Sequence, residues 1–139
     1  MISRTSEYGL RATLYLARQP DDRLASAADI AKALSVPSNY LSKLLHTLSK
    51  NGILEAERGP RGGYRLAVPP TQLPLANVVE LFQDLHPERA CLLGRPKCLD
   101  QNPCAAHERW KSVFDEVSSF FDETMIADLL ESPTPARTE

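Results

Sequence analysis

Three cysteines and a histidine have the types and spacing to hold a metal centre. Cys91, Cys98 and Cys104 follow the pattern Cys-x6-Cys-x5-Cys, and His107 comes three residues after the last. Thiolates are soft ligands for iron–sulfur clusters and for zinc, and a loop can wrap around either. The cysteines fall at or beside one polar stretch, 87–103, broken by Pro87, Pro96, Pro103 and Gly94. An irregular stretch of that length inside a compact domain is uncommon and usually functional. The plainer alternative is three small buried hydrophobes, a common fate of free cysteine. No Cys-x2–4-Cys pair is present, so the spacing is not that of a zinc finger, although zinc on a Cys3His set stays chemically open. Asn102 is expected to cap a long helix opening at Pro103. Cys104 then sits in the first turn, where the helix dipole favours thiolate, and His107 shares its face. Alone, His107 would read as an ordinary surface residue.

A second group of residues could grip a polyanion. Projected at about 100° per residue, Asn39, Ser42, Lys43, His46, Ser49 and Lys50 share one side of a helix, opposite Leu41, Leu44, Leu45 and Leu48. That polar side carries no acid, whereas a merely solvated face usually mixes both signs. Such a side can hydrogen-bond base edges and neutralise phosphates. Further on, Arg58 and Arg61 stand among Gly59, Pro60, Gly62 and Gly63. Glycines at a hairpin tip allow close backbone approach, and arginines there can reach phosphates or a narrow minor groove.

The elements that must position these groups follow from periodicity. Thr5 to Arg18 reads as a well-buried helix. A second helix starts near Ser26, with a hydroxyl cap and Asp29 in its first turn, and is interrupted at Ser35-Val36-Pro37. Ser38 is expected to cap a third helix that runs to about Lys50 and stops at Asn51-Gly52. The period then changes to two short strands, 53–57 and 64–67, joined by the glycine-rich loop. A helix is expected over 75–85, a long one over 103–122 and a short one over 125–130. Two helices joined by a tight turn and followed by a hairpin is the order of a winged helix-turn-helix. On the long helix, Trp110, Val113, Phe114, Val117, Phe120 and Phe121 recur at three- and four-residue steps. They form a seam suited to a homodimer interface, although such a stripe is more commonly intramolecular core. The expected fold is therefore mainly α. It has a winged helix-turn-helix domain over 1–70, a cysteine-bearing loop and long dimerisation helix over 71–131, and a disordered tail over 132–139.

Charge divides along the same line. The net charge is −2 over 139 residues, yet residues 1–67 carry +4 and residues 68–139 carry −6. That asymmetry fits a polyanion-binding half joined to a half with another task. No apolar run approaches the ~20 residues of a membrane helix, and the first residues lack the apolar core of a secretory signal. An odd cysteine count argues against a disulfide framework and fits a cytoplasmic protein.

Several of these stretches together resemble the Rrf2 family of bacterial winged-helix transcription regulators (the IscR, NsrR and RirA type). They are Ser6-Glu7-Tyr8-Gly9-Leu10-Arg11-Ala12, Asn39-Tyr40-Leu41, Leu48-Ser49-Lys50-Asn51-Gly52, Arg58-Gly59-Pro60-Arg61-Gly62-Gly63-Tyr64, the three cysteines, and Cys104-Ala105-Ala106-His107-Glu108-Arg109-Trp110. The resemblance covers about residues 1–130. It implies a homodimer with one iron–sulfur cluster per subunit, whose state changes operator affinity. It also implies that Cys91, Cys98 and Cys104 are cluster ligands. In the cluster-regulator type the fourth ligand is the histidine matching His107. In the nitric-oxide-sensing type it is a first-helix carboxylate of the other subunit, and Glu7 occupies that place. Both remain candidates, as do [2Fe-2S] and [4Fe-4S] clusters. The six residues between Cys91 and Cys98 depart from the five of the best-known cluster regulator.

The expected function is thus a homodimeric regulator, a repressor, that binds double-stranded promoter DNA. Its expected DNA contacts are Ser38, Asn39, Tyr40, Ser42, Lys43, His46, Lys50, Arg58, Arg61, Gly62 and Gly63. It is expected to sense iron or cluster status, redox state or nitric oxide, without a membrane or a small-molecule substrate. One alternative is a winged-helix regulator that senses oxidants through free thiols or zinc. Another, from a different class, is an iron–sulfur electron-transfer or cluster-delivery protein, which needs neither an acid-free helix face nor an arginine wing. An enzyme is not expected: no nucleophile–base pairing or phosphate-cradling motif is present, and the glycine-rich loop closes a hairpin instead of opening a helix.

Overall fold

The computed structural model describes residues 2–20, 23–85, 91–95, 100–131 and 133. Helix α1 (Arg4–Ala17) starts at Ser3, whose Oγ accepts from the Ser6 N–H at 3.1 Å. Helix α2 (Ala27–Leu34) is capped the same way by Ser26, which accepts from Asp29 N–H at 3.1 Å, and it ends on Ser35 in the left-handed conformation. These caps satisfy N–H groups that a helix start leaves without partners. Helix α3 (Ser38–Lys50) buries Leu41, Leu44, Leu45 and Leu48, the side projected from sequence. Strands β1 (Leu54–Glu57) and β2 (Gly63–Leu66) pair antiparallel, with Leu54 opposite Leu66 and Glu55 opposite Arg65. A 3-10 turn (Pro70–Gln72), α4 (Leu75–Val79), α5 (His107–Glu123) and a second 3-10 turn (Ile126–Leu129) complete the described elements.

The core is contiguous from α1 through α4 to Phe121 and Ile126, so it crosses the sequence boundary at residue 70. Gly9 explains how α4's following turn reaches α1: a Cβ there would lie 2.6 Å from Phe82 Cε2. The backbone pairs Leu75 N–H with Thr124 O (2.9 Å) and Ile126 N–H with Leu73 O (2.8 Å), which fastens the end of α5 to the start of α4.

Three local expectations are corrected. The helix expected over 75–85 ends at Val79. The chain then tightens into a turn, with Leu81 N–H bonding Val78 O and Phe82 N–H bonding Val79 O, which sets Phe82 against α1. The long helix starts at His107, not Pro103, because Asn102 takes a left-handed conformation (φ 63) in place of the extended one of a cap. Pro37 holds the cap position of α3, so Ser38 is its first residue and makes no cap bond. The short helix expected over 125–130 is present as the 3-10 turn Ile126–Leu129. Cys98 and, apart from Pro133, the expected tail lie outside the described residues.

Candidate nucleic-acid interface and cysteine loop

Helix α3 turns its leucines inward, which leaves Asn39, Ser42, Lys43, His46 and Lys50 exposed along its other side. Tyr40 is different. Its hydroxyl is 2.7 Å from Thr5 Oγ1 and its ring meets Tyr8 edge-on at 5.9 Å. It therefore fastens α3 to α1 and is half-buried, a role the spacing of the polar side did not reveal.

Besides the packing of Leu54, Tyr64 and Leu66 on the core, backbone pairing ties the hairpin to the segment before α2. Tyr64 exchanges both backbone hydrogen bonds with Ala25 (2.8 and 3.0 Å), immediately before α2. This contact explains Gly63, where a Cβ would lie 2.5 Å from Ala25 O. At Gly62 a Cβ would lie 2.1 Å from Glu57 O, so the turn closes only without a side chain. Arg58 and Arg61 are exposed at the tip. On the stem, Arg65 Nε lies 2.9 Å from Glu55 and its NH2 group 3.4 Å from Glu57.

The described part of the cysteine loop consists of two limbs, 91–95 and 100–106. The Cys91 side chain is 8% exposed but stands outside the contiguous core. The backbone N–H groups of Arg95 and Leu93 point at its sulfur and hold the thiol below its ordinary pKa. The Arg95 charge and a hydrogen bond with the Cys104 thiol add to this, against burial. Gly94, with φ 83, allows the turn, and its N–H bonds Cys91 O at 2.9 Å. Arg95 also donates to Asn102 O at 2.9 Å, joining the two limbs. Cys104 precedes α5 instead of lying in its first turn, so its sulfur gains nothing from being inside that helix.

His107, 2% exposed, is the first residue of α5, and its Nε2 donates to Asp100 Oδ1 at 2.9 Å. Lys111, one turn later, also reaches Asp100 at 3.4 Å. Asp100 is thus a functional candidate that sequence reasoning missed; it follows no motif and lies in the irregular loop. Among the described residues no three His, Cys, Asp or Glu side chains already converge as a metal site. Glu7 lies on α1 and pairs with Arg11 at 3.4 Å.

Along α5, Val113 and Phe120 are 54% and 53% exposed, and Trp110, Phe114 and Val117 are half-buried. Phe121 departs from the expected seam, being 3% exposed in the core of its own chain. A cleft of about 450 Å³ lined by Leu92, Ala105, Ala106, Arg109, Trp110 and Val113 adjoins the seam. Among the described residues no helix is long and apolar enough to cross a membrane.

Comparison with known proteins fits this geometry. The family model described as Rrf2, iron-dependent transcriptional regulator, matches residues 2–132. A helix-turn-helix-type transcriptional regulator of Aquifex aeolicus is 38% identical over 132 residues, covering 94% of this chain and 91% of the relative. The regulator IscR of Yersinia pseudotuberculosis is 27% identical over 129 residues, covering 93% and 78%. Among solved structures, CymR, the global cysteine regulator of Bacillus subtilis, superposes with a TM-score of 0.79. It is 25% identical over 94% of this chain and 96% of that one.

Proposed function

This chain belongs to the Rrf2 family of transcriptional regulators, and from that premise we propose that it is a cytoplasmic, homodimeric repressor whose operator affinity is set by an iron–sulfur cluster. Residues 1–70 read DNA through α3 and the wing, and residues 71–131 sense and dimerise. Cys91, Cys98 and Cys104 are the proposed ligands, with His107 or the partner's Glu7 as the fourth.

The observation that carries the cluster reading is the setting of Cys91. Two backbone N–H groups aimed at one sulfur, with a second thiol in hydrogen-bond contact, suit a site built to stabilise thiolates. A bound cluster would supply a centre that reacts with oxidants or nitric oxide. The chain's own part is transmission. Arg95 ties the loop's limbs together, and Asp100 ties the loop to the first two turns of α5 through His107 and Lys111. A displaced loop therefore pulls on α5, which carries the exposed Val113 and Phe120. At a two-fold axis, a shift of about an ångström or two changes the separation of two recognition helices and their match to operator half-sites.

Anaerobic purification tests the reading. A brown protein with iron and acid-labile sulfide, its visible absorption lost in Cys98→Ala and altered by nitric oxide, is the expected result. A colourless protein with stoichiometric zinc overturns it.

The Cys91–Cys104 contact also favours a second reading, in which the thiols respond to oxidants without a cluster. Iron and sulfide counts separate the two. Specific promoter binding in a gel shift separates both from an electron-transfer or cluster-delivery protein.

A further inference from the structure

The wing carries a charge arrangement that its sequence conceals. Leu54 is buried, and Leu66 and Tyr64 pack against the core from the paired strand. The period of two along a strand then puts Glu55, Glu57 and Arg65 on the opposite, solvent side. Arg65 is directly across from Glu55 and diagonal to Glu57, and it engages both, at 2.9 and 3.4 Å. The side chains of the two glutamates are 54% and 53% exposed. Without Arg65, two carboxylates would stand on the stem directly below Arg58.

We propose that Arg65 is a positioning residue of the nucleic-acid interface: it holds Glu55 and Glu57 in place and cancels much of their field, so that a polyanion meets the wing as a cationic surface. DNA contact itself falls to Arg58 and Arg61 at the tip. The inference rests on the DNA-binding reading of the wing. Its physical basis is range: a like charge repels phosphates within about one Debye length, ~8–10 Å in physiological salt, without touching them. The pairing also explains why a wing with two acids on its stem can serve this purpose.

The test uses the full chain and a short fluorescent duplex of mixed sequence at low salt, where binding is dominated by phosphate electrostatics. Arg65→Gln is expected to weaken binding on the order of fivefold. The triple variant E55Q/E57Q/R65Q is expected to restore it to within about twofold of wild type, with an unchanged slope of log affinity against log salt. A merely structural role would not produce that rescue, and thermal melts verify that each variant is folded. A triple variant as weak as Arg65→Gln, with a slope shallower by about 0.9, would overturn the proposal, because Arg65 would then be contacting a phosphate itself. Wild-type affinity in Arg65→Gln overturns it as well. Failure of the wild-type chain to bind any duplex overturns the DNA-binding reading and this proposal with it.

Discussion

Gly63→Ala is expected to detach the wing without unfolding the helices. An added Cβ would lie 2.5 Å from Ala25 O, 2.7 Å from Ala25 C and 3.1 Å from Ser26 N, all backbone atoms that cannot swing aside. Relief requires β2 to separate from residue 25, which breaks the Tyr64 N–H to Ala25 O and Ala25 N–H to Tyr64 O bonds. At about 1 kcal/mol each, the loss is about 2 kcal/mol. For a domain of this size that lowers Tm by about 8 °C. The two-stranded hairpin keeps its own pairing, but it loses its fixed angle to α2 and α3, so Arg58 and Arg61 no longer sit in register with the helix. DNA affinity should fall at least tenfold while helical circular dichroism at room temperature is unchanged. Gly59→Ala is the control: it lies at φ 107 but has open space around it, so it should cost stability through backbone strain and leave the Ala25 contact intact. Thermal melts, hydrogen exchange at Tyr64 and anisotropy titration report the three quantities. A Gly63→Ala protein with wild-type protection at Tyr64 would refute the reasoning.

Three further outcomes are expected. Phe120→Asp places a charge on an exposed aromatic of the proposed dimer seam and should raise the dimer dissociation constant by more than tenfold in sedimentation, with a smaller fall in Tm because the ring also meets Phe121 edge-on at 5.3 Å; an unaltered dimer refutes that assignment. The Cys91 thiolate should form at lower pH than an unstructured thiol's in an ultraviolet thiolate titration, because its folded pKa is lowered by N–H donors from Arg95 and Leu93; an unshifted titration refutes this. By linkage, the stability this contributes is fully present above the unfolded thiol's pKa and is lost as pH falls through the lower folded value, which a urea series across that window would register. Asp100→Ala removes the acceptor of buried His107 and should cost about 1 kcal/mol, discounted for the exposure of Asp100, and lower iron retention; Asp100→Asn keeps an acceptor oxygen and should recover most of both.

Much of the fold was legible from local chemistry. Ser26 and Ser35 mark the ends of α2, the leucines of α3 state which side is buried, and the glycines of 59–63 mark the hairpin. The misplaced boundaries lie where distant parts of the chain intervene. Asn102 looks like a cap but bends left-handed as Arg95 bonds its carbonyl, which delays α5 to His107. The helix opening at Leu75 stops early as Phe82 is drawn against Gly9, more than seventy residues away in sequence.

For the candidate sites the division is similar. Residue type and spacing alone determined which groups could meet DNA or a metal, since charge, thiol softness and helical period are local properties. Tertiary structure decided which of them are already committed. Tyr40 was assigned to Thr5, Arg65 to Glu55 and Glu57, His107 to Asp100, and Phe121 to the core. Hydrogen bonds and salt bridges act over about 3 Å, so which partner a side chain finds depends on how the chain folds back on itself, and sequence separation carries no such information.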